Sequence, residues 1–524
     1  LSLSLSQQGI AYVFDSIMDK EIKEMLSLLF SEKTQDINIE QVARSVTESY
    51  TLLDILNTVI SEKQDIVSFL RLLKYLISVS QKCWIEKFCE ACPKDEKHSV
   101  RRIFEMLSDI GSVRSFADRE HHVYCNDDFT GDADKAFLVM CIFEEIIKKC
   151  MDCSSKCTHT EAVYTWTPYI VNIISQQVMP NLWTHQNSEK AAANLMISLQ
   201  QALGCQTISS VLHSEEENTV TKTISYKLLH MWKPKLEGCA WKKNPGTVAS
   251  FCWYLSLIKF PHLSEYLDLV LPPALSFTDD YIHDNKIRGV QCLLYIILNS
   301  TNEELRWYGR ADVIFEVLKH NMYTNEVALL KLTHSAMIHI LTVLEMSPKK
   351  QLSCVGQGKI SKFDEIYQMI LRSAEMENSI IMRRALTDNL PFFASKMGIC
   401  VVKHFKVLMR IIPEYLGVYD GPEETARENI LKLLDTLLRI AWPRIPYHSQ
   451  LLTKCLIKFI NDMTTDETTT PQQVKDRLIK QAADCLHLVH SLNSCKVHSW
   501  IENIPGEYLS EKCMEILKTV IKES

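Results

Sequence analysis

An all-α protein, built as an α-solenoid of HEAT-like helix pairs, is predicted by three observations. Glycine is scarce, at 14 in 524 residues, about 3% where average usage is roughly 7%. Phosphate loops, dinucleotide folds and β-rich folds use glycine at their turns, so its scarcity over this length favours helices. Apolar residues recur at spacings of three and four, and no sustained period-two run appears. In the C-terminal half, helical segments begin after polar or proline-containing turns at intervals of about 45 to 95 residues, one or two repeats of the HEAT kind at ~40–47 residues each.

In chain order, the first residues read LSLSLSQQG. They lack a Met, a basic region and a continuous apolar core, so they fit a signal peptide poorly and are expected to mark a fragment or gene-model edge. Ile66, Phe69, Leu70, Leu73, Tyr75, Leu76 and Ile77 place a broad apolar face on one helix. Phe137, Leu138, Met140, Cys141, Ile142, Ile146 and Ile147 do the same on another. Polar loops are expected at 31–38, 126–134, 212–223 and 464–473. The stretch 212–223 carries Glu215, Glu216 and Glu217. It is taken as a polar connection between an N-terminal helical region, 1–211, and a C-terminal HEAT-like solenoid, 224–524. In that second region helices are expected at 284–298 with Arg288, 378–392 with Arg383 and Arg384, 422–440 with Arg427, and 471–488 with Lys475 and Arg477. A further pair fits around 325–344. Other apolar helices precede them, at 402–416 before Pro422 and at 449–460 before Pro471. No member of a pair buries its apolar face alone; stacked pairs share a continuous core.

Composition excludes several functions. The net charge is −7 and the pI near 6.2, which disfavours a nucleic-acid partner, since that needs a basic stripe to displace counterions. No polybasic segment suggests a membrane surface. The longest apolar stretches, such as 136–143, fall short of the roughly 20 residues of a membrane helix. Eighteen cysteines are scattered without secretory features, which points to reduced, mostly buried thiols in the cytosol or nucleus.

In "VYDGPEETARENILKLL", 418–434, an acidic cluster competes with a helix start. The helix start wins: Asp420 or Gly421 caps, Pro422 takes the first helical position, and Glu423 and Glu424 sit on the positive end of the dipole. Trp442-Pro443 ends the helix. Asp279, Asp280 and Asp284 resemble the DDxxD magnesium motif of terpene synthases, but His283 holds the place of the third acid. The partner motif begins at Asn461 and has Thr469 where Glu is required. Capping and turn formation by the aspartates is expected instead. Cys150, Cys153, Cys157 and His159 could offer zinc four ligands, with Cys83, Cys89, Cys92, Cys125, His121 and His122 in the same half of the chain. The spacing i, i+3, i+7 suits a buried thiol stripe on the helix begun at Phe137. His487, His490 and His498 surround Cys485 and Cys495 without forming HExxH and are expected on a helix surface. The run 356–359, Gly-Gln-Gly-Lys, is too short for a Walker loop. Trp232, Trp241, Trp253 and Tyr254 could line a groove but are expected in the core. No GxSxG, kinase set or dinucleotide fingerprint occurs. No catalytic residue, metal ligand or cofactor is therefore assigned, and the chain is expected not to be an enzyme.

Several strings occur in order: "VLPPALSFTDDY" at 270–281, "DNKIRGVQCLLYIILN" at 284–299, "YGRADVIFEVL" at 308–318, "NLPFFASKMGICVVKHF" at 389–405, "YLGVYDGPEETARENIL" at 415–431 and "WPR" at 442–444. Over residues 241–492 the chain closely resembles the Tel-two-interacting protein two family, a subunit of the TTT co-chaperone complex. The resemblance implies a non-catalytic α-solenoid that binds the Tti-one subunit and, through it, the Tel-two subunit. It implies work with the heat-shock protein 90 system on phosphatidylinositol 3-kinase-related kinases (mTOR, ATM, ATR, DNA-PK), in cytoplasm and nucleus. On this resemblance, partner contacts are placed at Tyr419, Asp420, Gly421, Pro422, Trp442, Pro443 and Arg444. A helical adaptor with another cargo, or a magnesium-dependent helical enzyme, is the alternative.

Overall fold

The computed structural model describes residues 66–80, 97–116, 124–151, 156–214, 223–345, 361–465, 469–505 and 509–522. Among them every regular element is an α-helix or a short 3-10 turn, with no strand. Packing divides the chain into two compact units, Leu1–Pro273 and Ala274–Ser524. The connection read at 212–223 lies inside the first unit, and its residues 215–222 are outside the described residues.

The first unit contains α1 (Ile66–Val79), α2 (Lys97–Gly111), α3 (Asp132–Met151), α4 (Lys156–Gln177), α5 (Gln186–Leu203), α6 (Ile208–Leu212), α7 (Ile224–Leu236) and α8 (Pro245–Leu257). Helix α3 packs on α1, α2, α4 and α5. It does so because its apolar residues form one broad face: Ala136, Val139, Met140, Ile142, Phe143, Ile146 and Ile147 are all buried. The Phe104 ring stacks between Phe143 at 5.1 Å and Trp166 at 4.5 Å. Several buried polar groups find partners. The Trp232 indole donates to Asn172 Oδ1 at 2.8 Å, and Asn172 Nδ2 donates to Ser108 Oγ at 3.0 Å. Lys149 Nζ, half-buried, donates to the carbonyls of Ser78 and Ser80 at the C-terminal end of α1. Helix α9 (Leu267–Thr278) carries the boundary between the units.

The second unit contains α10 (His283–Leu298), α11 (Asn302–Arg306), α12 (Arg310–His320), α13 (Val327–Leu344), α14 (Lys362–Met376), α15 (Ile380–Asp388), α16 (Leu390–Met397), α17 (Phe405–Gly417), α18 (Thr425–Ile440), α19 (Ser449–Thr465), α20 (Gln472–Leu492), α21 (Ser494–Glu502) and α22 (Glu511–Lys522). They form two layers. One runs α10, α13, α15/α16, α18, α20, each on the next; the other contains α14, α17 and α19. Each helix of the second layer also packs on its partner in the first, as α17 on α18 and α19 on α20. This is the helix-pair stack of an α-solenoid. Ion pairs step from pair to pair: Lys331–Asp388 at 3.7 Å, Arg384–Asp420 at 2.9 Å and Arg477–Glu428 at 2.9 Å. Gly289 lets α10 approach the end of α9, since a Cβ there would stand 2.4 Å from Thr278 N and Oγ1.

Several expected bounds shift. The helix expected over 378–392 is two helices, broken at Asn389 with Pro391 in the first turn of α16. The helix expected from Pro422 begins at Thr425. Helix α3 ends at Met151, so Cys157 belongs to α4 and does not share a helix with Cys150. One apolar segment was underestimated: Val327–Leu344 is long and apolar enough to cross a membrane by length and composition. More than half of it is buried inside this fold, because α13 lies between α10 and α15 with α12 across it.

Candidate protein-interaction site

The residues expected to meet a partner lie at the two ends of α18. The helix has 16 residues, so at 1.5 Å per residue its ends are roughly 24 Å apart. The structure therefore does not bring 419–422 and 442–444 together, and the two clusters have different chemistry.

At the N-terminal end the acids are used within the chain. Asp420 is buried; its Oδ2 accepts the Ala426 N–H at 2.6 Å, and its Oδ1 accepts Arg384 Nε at 2.9 Å. The capping role expected of Asp420 is present, reached by a different path. Gly421 at φ 86° and Glu424 at φ 53° turn the chain back on itself, so Pro422 and Glu423 lie in a turn ahead of the helix. Glu424 is the N-cap residue instead of a first-turn one. Its side chain is fully buried, accepting from Arg427 Nη1 at 3.2 Å and from the Thr470 hydroxyl at 3.3 Å. Burial raises the Glu424 carboxyl above its ordinary range, which Arg427 only partly offsets. Arg427 in turn lies over the Phe459 ring at 5.5 Å. Glu423 is mostly exposed and takes a second contact from Arg384, at 3.1 Å. Tyr419 shares a hydrogen bond with Thr469 at 3.0 Å. Arg384 and Arg427 stand out in the sequence as basic residues near helix starts; their pairing is not legible there, because Asp420 lies 36 residues from Arg384 and Glu424 takes a left-handed backbone.

The C-terminal end faces solvent. Past Ile440 the chain makes a 3-10 turn, Trp442–Tyr447. Ala441 and Ile445 are buried and anchor it, whereas Trp442 is 58% and Tyr447 77% exposed. Pro443 and Arg444 are exposed too. The Arg444 guanidinium stands 5.1 Å from the centre of the Tyr447 ring.

The other candidates resolve into structure. Asp279 and Asp280 lie between α9 and α10 and not on a helix, so the one-turn spacing of a magnesium motif is not built. Asp280 is buried and accepts Asn285 Nδ2 at 2.6 Å. Asn461 Oδ1 accepts the Ser510 N–H at 2.9 Å. Cys485 is buried, and burial pushes its thiol up to about 12; at neutral pH it is protonated and a poor nucleophile. His490, expected on the surface, is buried, its ring 6.4 Å from His498. Trp232, Trp241, Trp253 and Tyr254 are all buried in the first unit. Cys150 is buried in α3, and Cys125 is exposed. Cys83, Cys89, Cys92, His121, His122, Cys153 and the run 356–359 lie outside the described residues. Among the described residues no three His, Cys, Asp or Glu side chains are grouped to hold a metal.

Comparison with known proteins finds a family similar to part of the chain. Residues 170–422 match the model of the Tti2 family. The curated TELO2-interacting protein 2 of Homo sapiens is 35% identical over 340 residues, covering 64% of this chain and 66% of the human one. The Rattus norvegicus protein of the same name is 32% identical over 340 residues, covering 64% of this chain and 65% of its own length. The chain thus spans just under two thirds of the length of these relatives. Among solved structures, yeast importin-beta aligns with a TM-score of 0.45 at 12% identity, over 92% of this chain and 59% of that one.

Proposed function

We propose that this chain is a member of the Tti2 family and, on that premise, a non-catalytic scaffold subunit that assembles with its TELO2 counterpart. The observation that carries the reading is the match itself, whose curated relatives are named for interaction with TELO2. The site chemistry agrees with it. The carboxylates that suggested catalysis are used in caps and ion pairs, and the side chains left to solvent at the far end of α18 are Trp, Arg and Tyr, the residue types that dominate binding energy at protein interfaces.

The finer reading follows the family resemblance. The protein is a subunit of the TTT co-chaperone complex with Tti-one and Tel-two. It supports, with the heat-shock protein 90 system, the stability of phosphatidylinositol 3-kinase-related kinases (mTOR, ATM, ATR, DNA-PK) in cytoplasm and nucleus. Affinity purification from cells followed by mass spectrometry tests both levels. Co-purification of TELO2 and the third subunit is expected. Recovery of neither, with other proteins held stoichiometrically, leaves a helical adaptor of different cargo.

A further inference from the structure

We propose that the cleft between α2 and α7 in the first unit, floored by α4, binds a small amphiphilic anion, with the charged head at the Arg101–Lys227 end and the apolar body along Met231 and Pro234. This ligand site is one that the scaffold reading above neither needs nor supplies.

Three helix faces build the cleft. Its volume is about 670 Å³, inside the roughly 300–1,000 Å³ of small-molecule sites. Arg101, Glu105 and Asp109 recur every four residues on α2, and Lys227, Met231 and Lys235 do the same on α7, so each set lies along one face. Between them α4 presents Pro168, Tyr169 and Asn172.

Side-chain contacts fix the direction of the three helices. Arg101 Nε donates to the Tyr169 hydroxyl at 2.8 Å, Asn172 Nδ2 donates to Ser108 Oγ at 3.0 Å, and the Val113 N–H past the end of α2 donates to Gln176 Oε1 at 2.8 Å. The paired positions rise together, so α2 and α4 run parallel. Lys227 Nζ lies 4.7 Å from the centre of the Tyr164 ring, and the Trp232 indole donates to Asn172 Oδ1. By the same rule α7 is parallel to both. Arg101 and Lys227 therefore share one end of the cleft, level with 164–169 of α4. Asp109 and Lys235, 4.0 Å apart, close the other. The ends are roughly 12 Å apart, eight residues at 1.5 Å each. The floor is preformed, since Asn172 is buried and held by both Trp232 and Ser108.

Charge orients the occupant. Asp109 and Lys235 offset each other at the closed end. At the other end two cations face one acid, Glu105, which is exposed one turn along α2 and makes no ion pair with Arg101. The starts of α2 and α7, at Lys97 and Ile224, lie at this same end, where two parallel helix dipoles add positive potential. The Tyr169 bond takes only Nε of Arg101 and pre-sets the guanidinium. Both Nη groups are left without a partner among the described residues, as the fork that receives a carboxylate or phosphate. Beyond it Pro168, Met231 and Pro234 give an apolar wall, which suits a body without charge.

Isothermal titration of the full chain with 1-naphthyl phosphate and with 1-naphthoate tests this, and tight binding of either supports it and tells which head is taken. One site per chain is expected, with affinity at least tenfold above that for 1-naphthol, which lacks the charge, and for inorganic phosphate, which lacks the body. Arg101→Gln and Lys227→Ala should each weaken binding at least fivefold. Glu105→Gln should tighten it severalfold, a gain that misfolding does not produce. Lys148→Ala, a cation of α3 paired with Glu144 at 2.7 Å outside the cleft, should leave it unchanged. Absence of binding by wild type at millimolar probe, 1-naphthol bound as tightly as the anions, weaker binding by Glu105→Gln, or equal losses in Lys148→Ala and Lys227→Ala would each overturn the site. None of these outcomes touches the scaffold reading, which is decided by co-purification.

Discussion

Asp420 shows how a single carboxylate can look catalytic and be structural. One oxygen caps α18 and the other holds Arg384 of the preceding pair. Asp420→Ala removes a cap worth about 1 kcal/mol and strands a partly buried guanidinium. A total loss of roughly 2–4 kcal/mol is expected, read as a shift in the urea midpoint. Arg384→Ala should cost less in the Asp420→Ala background than in wild type, since the cycle isolates their coupling. His334 gives a pH prediction. It is completely enclosed in α13, neither ring nitrogen has a hydrogen-bond partner, and burial lowers its pKa to about 4 from 6.5. The folded-state pKa is depressed, so the unfolded chain binds the proton first. Stability is full above pH 6.5 and falls as pH drops toward 4, by roughly 3 kcal/mol for this one group. His334→Leu should flatten that limb of the stability–pH curve. Asp364, held low despite its burial by His404 and Lys403, acts below its ordinary range and so outside this window.

Among elements, α18 carries the most informative mixture. Ile430, Leu433, Leu434, Leu437 and Leu438 are all buried, as their spacing in the sequence announced. Leu434→Ala should cost about 3 kcal/mol, within the 2–5 typical of core Leu→Ala changes, measured by chemical denaturation. The start of the same helix was legible only in part. A Gly-Pro step reads as a helix entry, but two left-handed residues, at 421 and 424, delay it to Thr425. Those angles are stabilised by Arg384, Arg427 and Thr470, which are near in space and not in local sequence. Helix α13 makes the converse case: its apolar run is visible in the sequence, yet whether lipid or protein covers it depends on the helices packed around it. Slow amide exchange along α13 is expected by mass spectrometry, since its hydrogen bonds lie in the middle of the stack.

At the scale of the molecule, a solenoid spreads its contacts over neighbours and leaves its turns free. Trp307, Tyr308, Trp442 and Tyr447 stand in such turns. A partner that covers them binds only the folded state, so it should raise apparent Tm with its concentration, by the equivalent of about 2.7 kcal/mol at a hundred times Kd. Thermal shift with added TELO2 counterpart reads this; an unchanged Tm at saturating partner would count against a scaffold that engages the folded chain.

What the sequence by itself determined was the helical class and the paired-helix repeat, and it carries a stretch, 170–422, that matches the Tti2 family, because apolar periodicity and long matching strings are local properties of the chain. Tertiary structure alone decided what the conspicuous residues do. It placed the Asp420 and Trp442 clusters at opposite ends of one helix, closed the first into ion pairs and left the second open to solvent. The physical reason is that a charge's role depends on which opposite charge folding brings within hydrogen-bond reach, and that distance is not written in the spacing of residues along the chain.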